Sequence, residues 1–179
     1  MPRCKNCKDK FNAKVFNQKF CLKDECIKIS IDLMLKKVRE NKKKEWNKEK
    51  KERKERLKTK GDYLKEVQTV FNKWIRLRDN GLNCISCKKK CKKENAGHYR
   101  SVGSSPELRF EPLNVHLQCE YCNTYLHGNL INYRINLIKK IGIKNVEWLE
   151  SNHNVKRYNI DDLIKLKEYY KKKIKELNK

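Results

Sequence analysis

Residues 84–129, CISCKKKCKKENAGHYRSVGSSPELRFEPLNVHLQCEYCNTYLHGN, decide how this chain is read. Two Cys-x-x-Cys pairs, Cys84/Cys87 and Cys119/Cys122, are separated by 31 residues. Each pair is half of a tetrahedral thiolate site, and one zinc shared by both would pin two distant segments together. Cys91 is left over; it either replaces Cys87 or is a free thiol, and the symmetric pairing is preferred. With Cys in every position such a zinc keeps no open site, so it serves structure and not chemistry. What lies between and just after the pairs is then fixed in space. That is His98, Asn114, His116 and Asn123, groups suited to metal-assisted phosphodiester hydrolysis.

Composition agrees with a stapled, polyanion-binding chain. The 179 residues suit one modest domain or two small ones, and only 37% are hydrophobic. Thin cores need staples, and nine Cys are present to supply them. Lys and Arg number 46 against 22 Asp and Glu, a formal charge of +24 that favours nucleic acid as partner. The opening MPRCKNCKDK has no apolar run, so no signal peptide is expected, and no stretch approaches the ~18 apolar residues of a membrane span. An intracellular, reducing setting follows, in which paired Cys favour metal over disulfides.

Outward from the central segment, residues 1–27 carry a second set: Cys4-x2-Cys7, 13 residues, then Cys21-x4-Cys26. This reads as a zinc knuckle, with Phe11, Phe16 and Phe20 packing around it. In residues 28–60 the apolar positions thin after Leu35 to Val38, Trp46 and Leu57, no Pro or Gly interrupts the run, and Glu-to-Lys pairs such as Glu40/Lys44 recur. They predict a long basic helix, either a DNA-tracking arm or a solvated connector, broken at Gly61-Asp62. An amphipathic helix from Asp62 ends at Asp79-Asn80-Gly81. Val115 and Leu117 suggest a short strand leading into Cys119. Residues 129–140 predict a helix with Ile131, Ile135 and Ile138 on one face, and 160–177 a final helix with a packing stripe of Leu163, Leu166, Tyr170, Ile174 and Leu177.

His98 is the candidate general base, since a neutral imidazole takes a proton from water near neutral pH. Mg²⁺ or Mn²⁺ would neutralise the scissile phosphate. Asn114 could brace the loop that carries His98 or be an ordinary turn residue. Asn123 offers a hard oxygen to Mg²⁺ or caps a helix. His116 is a secondary metal candidate or a hydrogen-bonded core residue. Arg100, Arg109 and Arg134 are candidate phosphate contacts.

A stapled Cys pair, then Gly-His, then Leu-Asn, then Cys-x-x-Cys-Asn resembles the HNH, or ββα-metal, endonucleases. More closely, AGHYRSVGSSPELRFEPLNVHLQCEYCN with GNLINYRINLIKKIG, and the opening CKNCKDKFNAKVFNQKFCLKDEC, resemble the NinG/Rap family of lambdoid phage recombination endonucleases. The resemblance covers Cys4 to about Gly142. It implies an α+β, mostly helical fold: a zinc-stapled, treble-clef ββα-metal module at 61–142, behind a Cys4 knuckle at 1–27 and a basic helix at 28–60, with a helical extension at 143–179. It implies an endonuclease that cuts Holliday junctions and D-loops in the cytoplasm of a bacterial host, with a homodimer and a phage recombinase as candidate partners. His98 takes the base role, Asn114 the orienting role and Asn123 the metal-ligand role, with the structural zinc on Cys84, Cys87, Cys119 and Cys122; Cys4, Cys7, Cys21 and Cys26 read by their own spacing as a second zinc site. Gly97 departs from the pattern, because many HNH enzymes place an acidic or His ligand there. The rival reading is a non-catalytic zinc-finger protein that binds DNA or RNA as a recombination mediator.

Overall fold

The structure, a computed structural model, describes every residue except 152, 155 and 179. The chain divides into two compact units, Met1–Leu57 and Lys58–Lys179.

In the first unit a knuckle turn precedes α1 (Asp24–Arg56). Asp24 and Glu25 in its first turn suit the positive end of the helix dipole. The helix starts four residues before the expected position 28, because Cys26 belongs to its first turns and is the only residue of α1 that is buried. Phe11 and Phe20 pack on the buried cysteines as expected. Phe16 does not; it is 95% exposed.

The second unit opens with α2 (Lys60–Arg78). The expected break at Gly61-Asp62 instead falls at Thr59, and Gly61 lies inside the first turn of α2. A capping box explains the shift: Thr59 Oγ1 accepts the Asp62 amide at 3.3 Å, and Asp62 Oδ2 accepts the Thr59 amide at 2.9 Å. After α2, β1 (Glu94–His98) and β2 (Val115–Cys119) form an antiparallel pair in which Gly97 faces His116 and His98 faces Val115. A π-helical turn (Tyr121–Tyr125) leads to α3 (Leu130–Ile141), α4 (Ile143–Glu150) and α5 (Ile160–Leu177). The result is mostly helical α+β.

Two cores flank the strand pair. Val67, Phe71 and Ile75 of α2 pack with Leu163 and Tyr170 of α5 over Phe110 and Val115. Ile85, Tyr99 and Leu108 pack with Tyr133 and Leu137 of α3 and Val146 and Leu149 of α4. In α3 the buried face is therefore Tyr133 and Leu137; Ile131 and Ile135 are exposed, contrary to the expected stripe. In α5 the expected stripe does pack, through Leu163, Leu166 and Tyr170, although Leu177 is exposed.

Asp79, buried just past the end of α2, ties these layers together. Its carboxylate accepts the Leu117 amide at 3.0 Å and the Arg78 guanidinium at 2.9 Å, and lies 3.4 Å from Lys140 Nζ on α3. Burial would raise its pKa, but His116, Arg78 and the Leu117 amide outweigh that and hold the carboxyl well below the usual carboxylate range. A folded-state value below the unfolded one stabilises the protein above pH ~4, and that contribution is lost as pH falls toward the folded value. Asp79→Asn should lower stability in urea by about 3 kcal/mol at pH 7, with the gap to wild type narrowing in acid below pH ~4.

Candidate functional site

The cysteines gather into two sets: Cys4, Cys7, Cys21 and Cys26, and Cys84, Cys87, Cys119 and Cys122. Within each set the Sγ atoms lie within 4.8 Å of one another. The two leading Cys-x-x-Cys turns share one geometry. Cys4 N donates to Asp9 O at 2.9 Å and Lys8 N to Cys4 O at 3.0 Å; Cys84 N donates to Lys89 O at 3.0 Å and Lys88 N to Cys84 O at 2.9 Å. The residue after the second Cys, Lys8 or Lys88, takes a positive φ of 64° or 59°. Such turns aim backbone amides at sulfur. Burial raises the Cys4 thiol, but the amides of Cys21, Cys7 and Asn6 outweigh it and bring it down to about 6. Burial likewise opposes Cys84, and the amides of Cys87, Cys119 and Ser86 bring it down to about 7. Further N–H groups point at sulfur: Cys122 N to Cys119 Sγ at 3.5 Å and Asn129 Nδ2 to Cys122 Sγ at 3.6 Å. Thiolates crowded this closely fit a divalent ion that neutralises them, and all-sulfur tetrahedral sets suit zinc.

Cys91 stands outside both sets. Burial and the negative charge of Cys84 and Cys119 push its thiol up to about 12, as burial does that of Cys122 inside the set, so the shift does not single it out. The sulfur positions do: the symmetric pairing is the one the fold assembles.

His98 ends β1 on the sheet face it shares with Val115. Its Nε2 lies 3.0 Å from the Arg109 carbonyl oxygen. A carbonyl only accepts, so Nε2 carries the hydrogen and Nδ1 keeps its lone pair. Burial lowers the His98 pKa, only partly offset by the Arg109 carbonyl, so the ring is neutral at neutral pH. Arg109 is in turn fixed by α2, its Nε donating to Gln68 Oε1 at 2.9 Å. Asn114, fully buried, clasps the chain just after His98. Its carbonyl O accepts Tyr99 N at 2.8 Å and its Oδ1 accepts Arg100 N at 2.7 Å. Its Nδ2 donates to Arg100 O at 2.9 Å and Leu108 O at 3.1 Å. The sequence reading of Asn114 as a brace describes this geometry.

The other candidates are placed differently. His116 pairs with Gly97, so it lies on the sheet face opposite His98. Its Nε2 donates to Leu113 O at 3.1 Å and its Nδ1 accepts from Arg78 at 3.0 Å, which commits both nitrogens inside the Asp79 network. Asn123 sits half-buried on the π-helical turn and makes no side-chain hydrogen bond to any described residue. Arg134 is bound by both Glu150 oxygens at 2.7 and 3.0 Å. Arg100 stays near His98, its backbone held by Asn114. Among the described residues no third cluster of His, Cys, Asp or Glu is close enough to hold an ion. Sequence reasoning missed the Asp79 network, because RDNG reads equally well as a plain helix end.

Fold and site define a mostly helical α+β protein with two four-cysteine clusters able to hold metal ions and a clasped, half-buried histidine between the halves of the second. The family described as "NinG: Bacteriophage Lambda NinG protein" matches residues 1–179, and the chain belongs to that family. It is 35% identical to protein ninG of Escherichia phage 933W over 189 residues, 98% of this chain and 92% of that protein. It is 42% identical to protein ninG of Escherichia phage lambda over 126 residues, 70% of this chain and 62% of that protein. For protein ninG of Salmonella phage P22 the identity is 40% over the same share of each. No solved structure matches the chain. No helix among the described residues is long and apolar enough to cross a membrane.

The cysteine geometry gives a direct expectation for metal content. Protein purified without chelator should carry about two zinc ions per chain by elemental analysis. Cys119→Ser should lower that to about one, and Cys91→Ser should leave it unchanged.

Proposed function

We propose that this protein is a metal-dependent, structure-selective DNA endonuclease that cuts branched recombination intermediates such as Holliday junctions and D-loops, with β1, β2 and α3 as a ββα-metal module. The observation that carries the reading is His98: a neutral, desolvated imidazole whose Nε2 is pinned by the Arg109 carbonyl and whose following residues are clasped by Asn114. That arrangement leaves Nδ1 to take a proton from water. The zinc sets hold the frame. A bound Mg²⁺ or Mn²⁺ would supply neutralisation of the scissile phosphate. Of the residues present, Asn123 has a free side-chain oxygen to help hold it, in company with the phosphates themselves.

The charge of +24 supports affinity for DNA that falls steeply with salt. Selectivity for branches would rest on shape, since no base-reading motif is apparent. Cutting two strands of a junction suits a homodimer, and a phage recombinase in the host cytoplasm suits the reaction. One observation favours the rival, a non-catalytic zinc-finger DNA- or RNA-binding mediator: among the described residues His98 belongs to no group of three or more His, Cys, Asp or Glu close enough to hold an ion.

A labelled four-way junction incubated with Mg²⁺ or Mn²⁺ separates the two. Wild type should nick it, and His98→Ala should do so at least ~100-fold more slowly while binding equally well. Because burial lowers the His98 pKa, the acid limb of the cleavage rate should fall below pH ~6.5. A wild type that binds every branched substrate and nicks none would hand the case to the mediator reading.

A further inference from the structure

A cleft of about 410 Å³ opens at the start of α5, lined by Lys156, Arg157, Tyr158, Asp162, Lys165 and Tyr169. Three cations there face one carboxylate, and that carboxylate is already used: Asp162 accepts the Asn159 amide at 3.0 Å within the α5 capping box. The pocket is therefore basic in effect. It also holds two tyrosine rings, each supported from behind. Tyr158 meets Phe110 edge-on at 5.5 Å, and Tyr169 meets Tyr170 edge-on at 5.1 Å. Tyr170 is buried, and its hydroxyl donates to the Phe110 carbonyl at 3.1 Å. Phe110 thus backs the Tyr158 ring directly and anchors, through its carbonyl, the tyrosine behind Tyr169. The residue before Phe110, Arg109, supplies the carbonyl that pins His98. Neighbouring residues of one loop thus touch both places: Arg109 pins His98, and Phe110 backs the cleft.

Aromatic rings interleaved with cations are the combination that binds single-stranded nucleic acid: rings stack on bases, cations take phosphates. A duplex keeps its base faces stacked on one another and cannot offer them to tyrosine; an unpaired strand can. Lys156 Nζ lies 5.2 Å from the centre of the Tyr158 ring, and Lys173 Nζ 5.8 Å from that of Tyr169. These exposed cation–π contacts are weaker than base stacking, so a base displaces the ammonium groups toward its own phosphates.

We infer that this cleft holds an unstacked nucleobase of a single-stranded DNA segment, with the flanking phosphates on Lys156, Arg157 and Lys165. Its position beside the cutting centre rests on the nuclease reading of His98; the binding itself does not. A D-loop carries a displaced unpaired strand, and the branch point of a junction is where pairs open most readily, so a cleft that takes one unstacked base gives selectivity for branched DNA without reading sequence.

The test uses the full zinc-loaded chain in buffer free of added divalent cation, so that no cleavage intervenes. Fluorescence anisotropy is measured with labelled oligothymidine and with a duplex of the same length at one ionic strength. Tyr169→Leu, a change at a half-exposed position, should weaken single-strand binding about tenfold, the loss of one stacked base, and leave duplex binding within about twofold. Tyr169→Trp should restore it. An oligonucleotide carrying 5-iododeoxyuridine should cross-link on irradiation to Tyr158 or Tyr169. Equal loss on both DNAs, or undiminished single-strand binding with the cross-link elsewhere, would overturn the inference. Junction cleavage by wild type that survives such a result would leave the His98 reading standing, and single-strand binding at Tyr169 without any cleavage would remove only that reading.

Discussion

A buried carboxylate at the end of a helix is the constraint on which the second unit depends. Asp79 sits where the dipole of α2 presents its negative pole, about half an elementary charge, and it is buried as well. Both facts argue against a charge there. It is tolerated because cations and an N–H donor surround it: Arg78, Lys140 and the amide of Leu117. The last of these does the organising. Leu117 lies in the middle of β2, with its N–H directed away from β1, and Asp79 holds that outer edge. The Leu117 carbonyl on the same edge accepts the Ile85 amide at 3.0 Å, from the first turn of the second cysteine set. The inner edge of β2 then fixes β1, and with it His98. A helix end, a cysteine turn and a candidate catalytic strand are positioned through one residue pair.

The cysteine sets do for this chain what apolar area does for others. α1 buries only Cys26, so the first unit owes its organisation to sulfur and its few neighbours. In the second unit the Cys set joins the turn after α2 to the end of β2 and the turn beyond it. Gln118 reinforces that joint, its Nε2 donating to Ser86 Oγ at 2.7 Å and Gly128 O at 2.6 Å. The repeated turn with Lys8 and Lys88 at positive φ shows one local solution used twice. Non-glycine residues pay a modest strain in that region, which the amide–sulfur bonds offset.

Much of this was legible in the sequence, and the failures share a cause. Cysteine spacing, the end of α2 at Asp79-Asn80-Gly81, the strand into Cys119 and the stripe of α5 are local or periodic signals. β1 is not: Glu94-Asn95-Ala96-Gly97-His98 has no alternation, and its strand form is imposed by β2. In α3 apolar residues run around the helix, so periodicity could not tell the Tyr133/Leu137 side from the Ile131/Ile135 side. At the start of α2 two local signals compete, a Gly-Asp break and the Thr59-x-x-Asp62 capping box, and the capping box wins. At the candidate site, side-chain roles that act along the chain could be read, as with Asn114. The Arg109 carbonyl could not, since every residue carries one and only the fold selects which meets His98.

The departure at Gly97 acquires a physical reason. A Cβ there would lie 2.1 Å from Gln118 Oε1 and 2.9 Å from its Cβ. No side chain fits that position while Gln118 keeps its bonds to Ser86 and Gly128. The residue that braces the cysteine-bound frame is therefore the one that excludes a metal ligand next to His98. Under the nuclease reading this trades a protein ligand for a stiffer frame. The cation would then find no set of three His, Cys, Asp or Glu at His98 among the described residues, and would lean on neutral oxygen such as that of Asn123 together with the substrate's phosphates. Under that reading a cation held so weakly by protein would be completed by DNA, and cation and substrate would bind as one event. His98, by contrast, needs neither to be in place, because the Arg109 carbonyl and the Asn114 clasp already fix its ring and its loop.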